Sequence, residues 1–378
     1  MQHRVYFDNA STTNVNPDVL KTYESLLEEY YVNSESLYDE GSQVHRMMEK
    51  ARSATASLLG VKAEDIIFTS GSSEANSTAI KGVALANRDR KHIITTQIEH
   101  SSILNSCRQM ERLFGYKVTY LPVNEQGVVS VDDVKKALDD DTVIVSIMKV
   151  NNETGAVNPV DEIAEIVRKQ SHAFMHVDMT QAIGKVPCRF DNIDMASISA
   201  HKIEGLKGSG ILYKKKYVPM EPLISGGEQE YGLRGGTANA VADMVFAKTL
   251  RLALENEEKY GVYVQQLKTH LLEGLKKIEG IEINSPDNGI ACTVNFSYEK
   301  IPSEVMQNAL NEKGFMVSAR STCESNYNNP SYVLTAMGFS ERRASCCIRI
   351  CLSYHNTREE VDAFLSALKE ICEHYGSV

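Results

Sequence analysis

The chain has 378 residues, 42% hydrophobic and 24% charged, with a net charge of −10. That length exceeds what one core usually spans, so two domains of an ordinary globular protein are the prior. An acidic chain assumes no broad cationic face for nucleic acid, and no apolar stretch reaches the roughly 18 residues that cross a bilayer.

Residues 1–8 hold no apolar signal core, so a cytoplasmic location without membrane contact is expected. Residues 5–7 read as a strand, followed by a polar turn at 8–14. Pro17 fits the first turn of a helix running to about residue 30. A second helix over 44–59 stops at Gly60. A strand at 65–69, a tight loop at 70–73 and a helix at 74–87 come next. The pattern then alternates: strand 92–96, helix 101–114, strand 117–121, helix 131–138, strand 142–148, helix 159–170. Two short apolar runs, 173–177 and 193–198, read as buried strands. Alternation of this kind implies an α/β fold, a mostly parallel sheet covered by helices on both faces.

Lys214, Lys215 and Lys216 read as a solvated turn. A long helical stretch, 238–277 with breaks, leads to strands at 281–283, 292–296, 315–318 and 347–352 and helices at 303–313 and 357–375. The expected division is a large domain over 15–255 and a smaller α+β domain built from 1–14 and 256–378. Eight cysteines are too few for a disulfide scaffold and suit a reducing compartment. Cys346, Cys347 and Cys351 read as apolar thiols of a buried strand, because no second cluster stands at metal-ligand spacing.

Chemistry gathers at the strand ends, where open α/β sheets bind ligands. Asp178 ends one buried strand, and Ser199 to Lys202 end the next. The acid can pair with a ring nitrogen and the lysine can bind a carbonyl carbon, the two demands of pyridoxal phosphate; an N-cap and a solvated lysine are the plainer reading. Ser70, Gly71, Ser72 and Ser73 precede a helix, so they form either an anion cradle or an N-cap loop. His100 is either a ring-stacking acid–base group or a helix cap, and Asn152 either a ligand or a turn residue. Cys323 sits among Ser and Asn residues, a polar setting for a reactive thiol.

These residues, in order, resemble the pyridoxal-phosphate-dependent cysteine desulfurases of the NifS/IscS type, within the class-V aminotransferase group. The resemblance rests on Phe7-Asp-Asn-Ala-Ser-Thr-Thr13, Phe68-Thr-Ser-Gly-Ser-Ser-Glu74, Glu99-His100, Val150-Asn-Asn-Glu-Thr-Gly155, His176-Val-Asp-Met-Thr-Gln181, Ser199-Ala-His-Lys202, Arg234-Gly-Gly-Thr237 and Pro330-Ser-Tyr-Val-Leu334. It implies the transferase fold of type I and places the covalent cofactor link at Lys202, ahead of Lys207. It implies that Asp178 pairs with the ring nitrogen, Gln181 and Asn152 contact the ring oxygen, and His100 stacks on the ring. Ser72, Ser73, Ser199 and His201 hold the phosphate, and Thr237 reaches the phosphate of a partner subunit in a homodimer. Cys323 is the nucleophile, on a loop of the long type, which takes sulfur from L-cysteine and passes it to an acceptor protein for tRNA thiolation or iron–sulfur assembly.

Some positions depart from the pattern. Tyr354 stands where the resemblance places an Arg for the substrate carboxylate, leaving Arg349 or Arg320 for that task. Asn33-Ser-Glu-Ser-Leu-Tyr38 replaces the usual entrance segment, Glu204 and Leu206 replace an aromatic residue and a Pro, and Arg320 replaces a Gly. A selenocysteine lyase or aminotransferase, or a sulfur-relay scaffold with weak turnover, are the alternatives these departures keep open.

Overall fold

The structure, a computed structural model, describes residues 4–319 and 329–375. Twelve strands are described, here β1 (Val5–Tyr6), β2 (Ile66–Thr69), β3 (His92–Thr96), β4 (Lys117–Leu121), β5 (Thr142–Ser146), β6 (Phe174–Asp178), β7 (Met195–Ser199), β8 (Gly210–Lys214), β9 (Ile281–Ile283), β10 (Thr293–Tyr298), β11 (Phe315–Met316) and β12 (Cys347–Cys351). Seven form one sheet in the order β2-β8-β7-β6-β5-β3-β4, with β8 antiparallel to both neighbours and the remaining pairs parallel. Runs such as Thr142-Val-Ile-Val-Ser146 are buried throughout, as a sheet covered on both faces demands.

β8 is absent from the sequence expectation, and the solvated turn at Lys214 is corrected. Lys214 is buried at the end of β8, and its Nζ donates to the carbonyls of Lys215, Lys216 and Val218. Burial lowers its pKa.

The 238–277 stretch forms one unbroken helix, Ala240–Leu275. It packs on the helices Pro17–Glu29 and Asp39–Leu59 and on the closing helix Arg358–Tyr375. The expected domain boundary at 255/256 therefore falls inside a continuous helix. A second, antiparallel sheet, β12-β10-β9, stands beside the parallel pair β1–β11. One apolar core runs from Val145, Val177 and Ile198 through Leu250 and Leu267 to Val294, Phe296 and Phe364. The thiols of Cys346, Cys347 and Cys351 are buried. Among the described residues no helix is long and apolar enough to cross a membrane.

Candidate active site

Parallel strands share one carboxyl edge, and the segments leaving β2, β3, β5, β6 and β7 there deliver the site. Ser72, Ser73, His100, Asn152, Asp178, Gln181, His201 and Lys202 line a single cavity of about 140 Å³, together with Arg349 from β12.

Asp178 ends β6, where both carboxylate oxygens are engaged. Asn76 Nδ2 donates to Oδ2 at 2.8 Å, and the Thr180 amide donates to Oδ1 at 2.9 Å. Asn76 also donates to Ser102 Oγ at 3.0 Å, and that hydroxyl meets His100 Nδ1 at 2.8 Å. The Ser102 amide points at the same nitrogen, at 3.2 Å. His100 Nδ1 therefore accepts, and in the neutral ring the proton sits on Nε2. Burial is the main reason the imidazole titrates below its ordinary value, and Lys202 adds to it against the opposing pull of Asp178. His100 caps the helix Ser101–Phe114, one of its two sequence readings, and also lines the cavity.

Lys202 lies in the short helical turn after β7, and its Nζ donates to Ala10 O at 2.7 Å and Ser11 O at 2.6 Å. Ala10 O also receives Gln181 Nε2 at 2.9 Å, while Gln181 Oε1 accepts from Lys185. His201 bonds Thr12 through Nδ1; burial and the surrounding lysines lower its pKa to about 4, so it is neutral near pH 7. Lys207 is exposed and does not line the cavity.

The serine loop begins the helix Ser72–Ala86 two residues earlier than expected. Gly71 precedes it at φ 143°, a conformation that side chains resist, and Ser199 Oγ faces that glycine across an ordinary contact. Ser70 caps inward on Glu74, which holds Arg234 at 3.2 Å. Ser72 and Ser73 open the helix and line the cavity, so a helix N-terminus with two hydroxyl residues stands at its wall, the chemistry of a phosphate site. Ser199 is buried at the end of β7 without lining the cavity, and Thr237 is exposed and outside it. Cys323 and Arg320 lie outside the described residues.

Arg349 is nearly fully buried. Its Nη1 donates to Asn152 O at 2.8 Å, and its Nη2 to Asp8 Oδ1 at 2.9 Å and Ser11 Oγ at 2.7 Å. Three of its five donors are thus spent, leaving Nε and one Nη1 hydrogen. Tyr354 points elsewhere, into a separate cavity of about 120 Å³ that shares only the Lys202 wall with the first. The position singled out in the sequence for carboxylate binding is therefore not at this site, and Arg349 is. Asn76, Ser102 and Thr180 complete the network, and none of the three was singled out in the sequence as a site residue.

The chain belongs to the class-V aminotransferase family, whose model matches residues 5–364. The family depends on pyridoxal phosphate, and this chain is a pyridoxal-phosphate enzyme. It is 39% identical to a NifS/IcsS protein homolog of Lactobacillus delbrueckii subsp. bulgaricus, covering 99% of this chain and 98% of that one. It is 40% identical to cysteine desulfurase IscS of Methanosarcina thermophila, over 98% of this chain and 92% of that one. A solved NifS-like protein superposes with a TM-score of 0.92 at 38% identity, covering 98% of this chain and all of the other.

The residues fit the cofactor on their own evidence. Asn152 Oδ1, Thr180 Oγ1 and Arg349 Nε are buried polar atoms without a hydrogen-bond partner among the described residues, and all three residues line this cavity. Buried polar groups are nearly always satisfied, so the cavity is built for a polar molecule.

Proposed function

We propose that this chain is a cysteine desulfurase, converting L-cysteine to L-alanine and delivering the sulfur to an acceptor protein. The observation that carries the reading is the convergence of Lys202, Asp178, His100 and Arg349 on one cavity at the carboxyl edge of a parallel sheet. Lys202 binds the cofactor covalently, Asp178 pairs with the ring nitrogen, and Asn152 and Gln181 meet the ring oxygen. His100 lies against the ring face. Ser72, Ser73, Ser199 and His201 hold the phosphate, and Thr237 reaches the phosphate of a second copy of the chain. Pyridoxal phosphate, when bound, supplies an electron sink for charge released at the substrate α-carbon.

The remaining chemistry belongs to the protein. Arg349 offers a fixed cation and its two uncommitted donors to the substrate carboxylate. Lys202 takes the α-proton, and His100 offers a hydrogen bond from Nε2, the nitrogen its Ser102 contacts leave protonated. The Cys323 thiolate attacks the substrate sulfur, alanine leaves, and Cys323 keeps the sulfur as a persulfide. A cytoplasmic homodimer serving tRNA thiolation or iron–sulfur assembly fits this chemistry.

The test is the visible absorbance of the purified protein before and after adding L-cysteine, with alanine assayed. A yellow wild type whose spectrum shifts and which forms alanine, beside a Lys202→Ala protein that does neither, is the expected result. Equal alanine from Lys202→Ala would move the reaction to another lysine.

A further inference from the structure

Glu204 follows Lys202 by two residues and takes a left-handed backbone, φ 63°, rare for a residue other than glycine or asparagine. Such strain persists only where its surroundings enforce it. Here two chain segments do so. From the amino end, Thr13 Oγ1 accepts the Glu204 amide at 2.8 Å, and the Asn16 amide donates to Glu204 O at 2.8 Å. From the carboxyl end, Tyr354 OH donates to Glu204 Oε2 at 2.6 Å, and His355 Nε2 meets Oε1 at 2.8 Å. Tyr354 is itself fixed, its ring stacked on Tyr260 at 4.5 Å and its hydroxyl accepting from Asn256 at 3.0 Å. Glu204 is only 14% exposed.

The knot bears on Lys202 by a short route. Lys202 Nζ rests on the carbonyls of Ala10 and Ser11. The loop carrying those carbonyls is tied to the lysine's own segment at Thr13, which bonds the His201 carbonyl through its amide and its hydroxyl, and then at Glu204.

We propose that Glu204, clasped by Tyr354 and His355, is a positioning residue that holds the 10–16 loop against the 201–205 segment and so fixes where the Lys202 amine meets the cofactor. The inference rests on the reading that Lys202 carries the cofactor. It also gives Tyr354 a task that does not involve the substrate carboxylate.

The experiment uses wild type, Glu204→Ala, Glu204→Gln and Tyr354→Phe. Each is stripped of cofactor and titrated with pyridoxal phosphate; the complex is then reduced with borohydride and its peptides mapped by mass. Melting temperature before titration monitors the fold. Losing a hydrogen bond to a charged group should raise the half-saturating concentration about tenfold in Tyr354→Phe and more in Glu204→Ala. The yield of adduct at Lys202 should fall with it, while melting stays near wild type. Glu204→Gln, which keeps an acceptor for Tyr354, should recover most of the adduct. Unchanged half-saturation and adduct yield in Tyr354→Phe and a folded Glu204→Ala overturn the clasp. A loss of affinity that follows melting temperature alone and ignores Glu204→Gln overturns it too, as a general structural role. Wild-type adduct at Lys207, or none, overturns the Lys202 reading beneath it and is distinguishable from both.

Discussion

Glu99 precedes His100 and is fully buried, with Oε1 accepting from Thr96 Oγ1 and the Met148 amide. Burial pushes its carboxyl up to about 8, with the nearby Asp178 charge adding to the effect. Between its unfolded value and that one, the folded protein keeps a proton the unfolded chain has lost. The contribution to stability is therefore full below the unfolded pKa and disappears as pH rises through about 8. Over that window Glu99 should lower stability by about 1.4 kcal/mol per pH unit, and Glu99→Gln should remove this share of the slope in denaturant melts at pH 6.5 and 7.5. Asp243 is also raised by burial, so part of the slope should survive the variant. Equal slopes in the two proteins would show that Glu99 is ionised. Arg349→Lys keeps the charge but loses the fork, so kcat/KM for L-cysteine should drop about 10- to 100-fold, chiefly through KM. A drop confined to kcat would remove Arg349 from carboxylate binding. The reactive residues were legible because each follows an apolar run that ends in a polar turn. Asn76 was not: its partner Asp178 lies on another element, and a polar residue inside the helix Ser72–Ala86 carries no local mark. Arg349 was underrated for a related reason, since an arginine in the middle of an apolar strand shows nothing of the Asp8 and Ser11 contacts that hold it.

At the scale of elements, the anion loop depends on the close approach of β8. A Cβ on Gly210 would stand 2.6 Å from Ile198 O and 2.7 Å from the Gly71 Cα, both backbone atoms. Gly210→Ala should therefore cost about 1–3 kcal/mol of stability and weaken cofactor binding, read by denaturant melts and cofactor titration. A variant as stable and as well loaded as wild type would contradict the tight packing of this loop. β3 and β4 have the limits expected from the sequence, 92–96 and 117–121. β8 escaped because Lys214 and the lysines after it suggest solvent, whereas three carbonyls satisfy the buried ammonium. The breaks expected within 238–277 do not occur between Ala240 and Leu275. The helix Ala240–Leu275 is held at one end by Asp39–Leu59 and toward the other by Arg358–Tyr375. Its middle needs no apolar face of its own to stay helical.

At the scale of the molecule, the segment before the long helix is tied to the helix Asp39–Leu59 by a buried ion pair and to β2 by a hydrogen bond. Arg52 Nη1 and Nη2 donate to the two Glu230 oxygens at 2.7 and 2.8 Å, and the Phe68 amide donates to the same carboxylate. Both side chains are 5% exposed or less. Arg52→Ala would strand a buried charge, so a loss of about 3–5 kcal/mol is expected in equilibrium unfolding; a loss under 1 kcal/mol would mean that water reaches the pair. The fold class was legible from the strand–helix alternation, but the joining of its parts was not. The boundary expected at 255/256 lies within a helix whose buried residues run from Ala240 to Leu275. The most direct measurement for the whole account is peptide mass mapping of the protein after turnover with L-cysteine, alongside an alanine assay. One added sulfur is expected on the peptide carrying Cys323, with alanine formation that disappears in Cys323→Ala. Added sulfur on another cysteine, or undiminished alanine from Cys323→Ala, would contradict it.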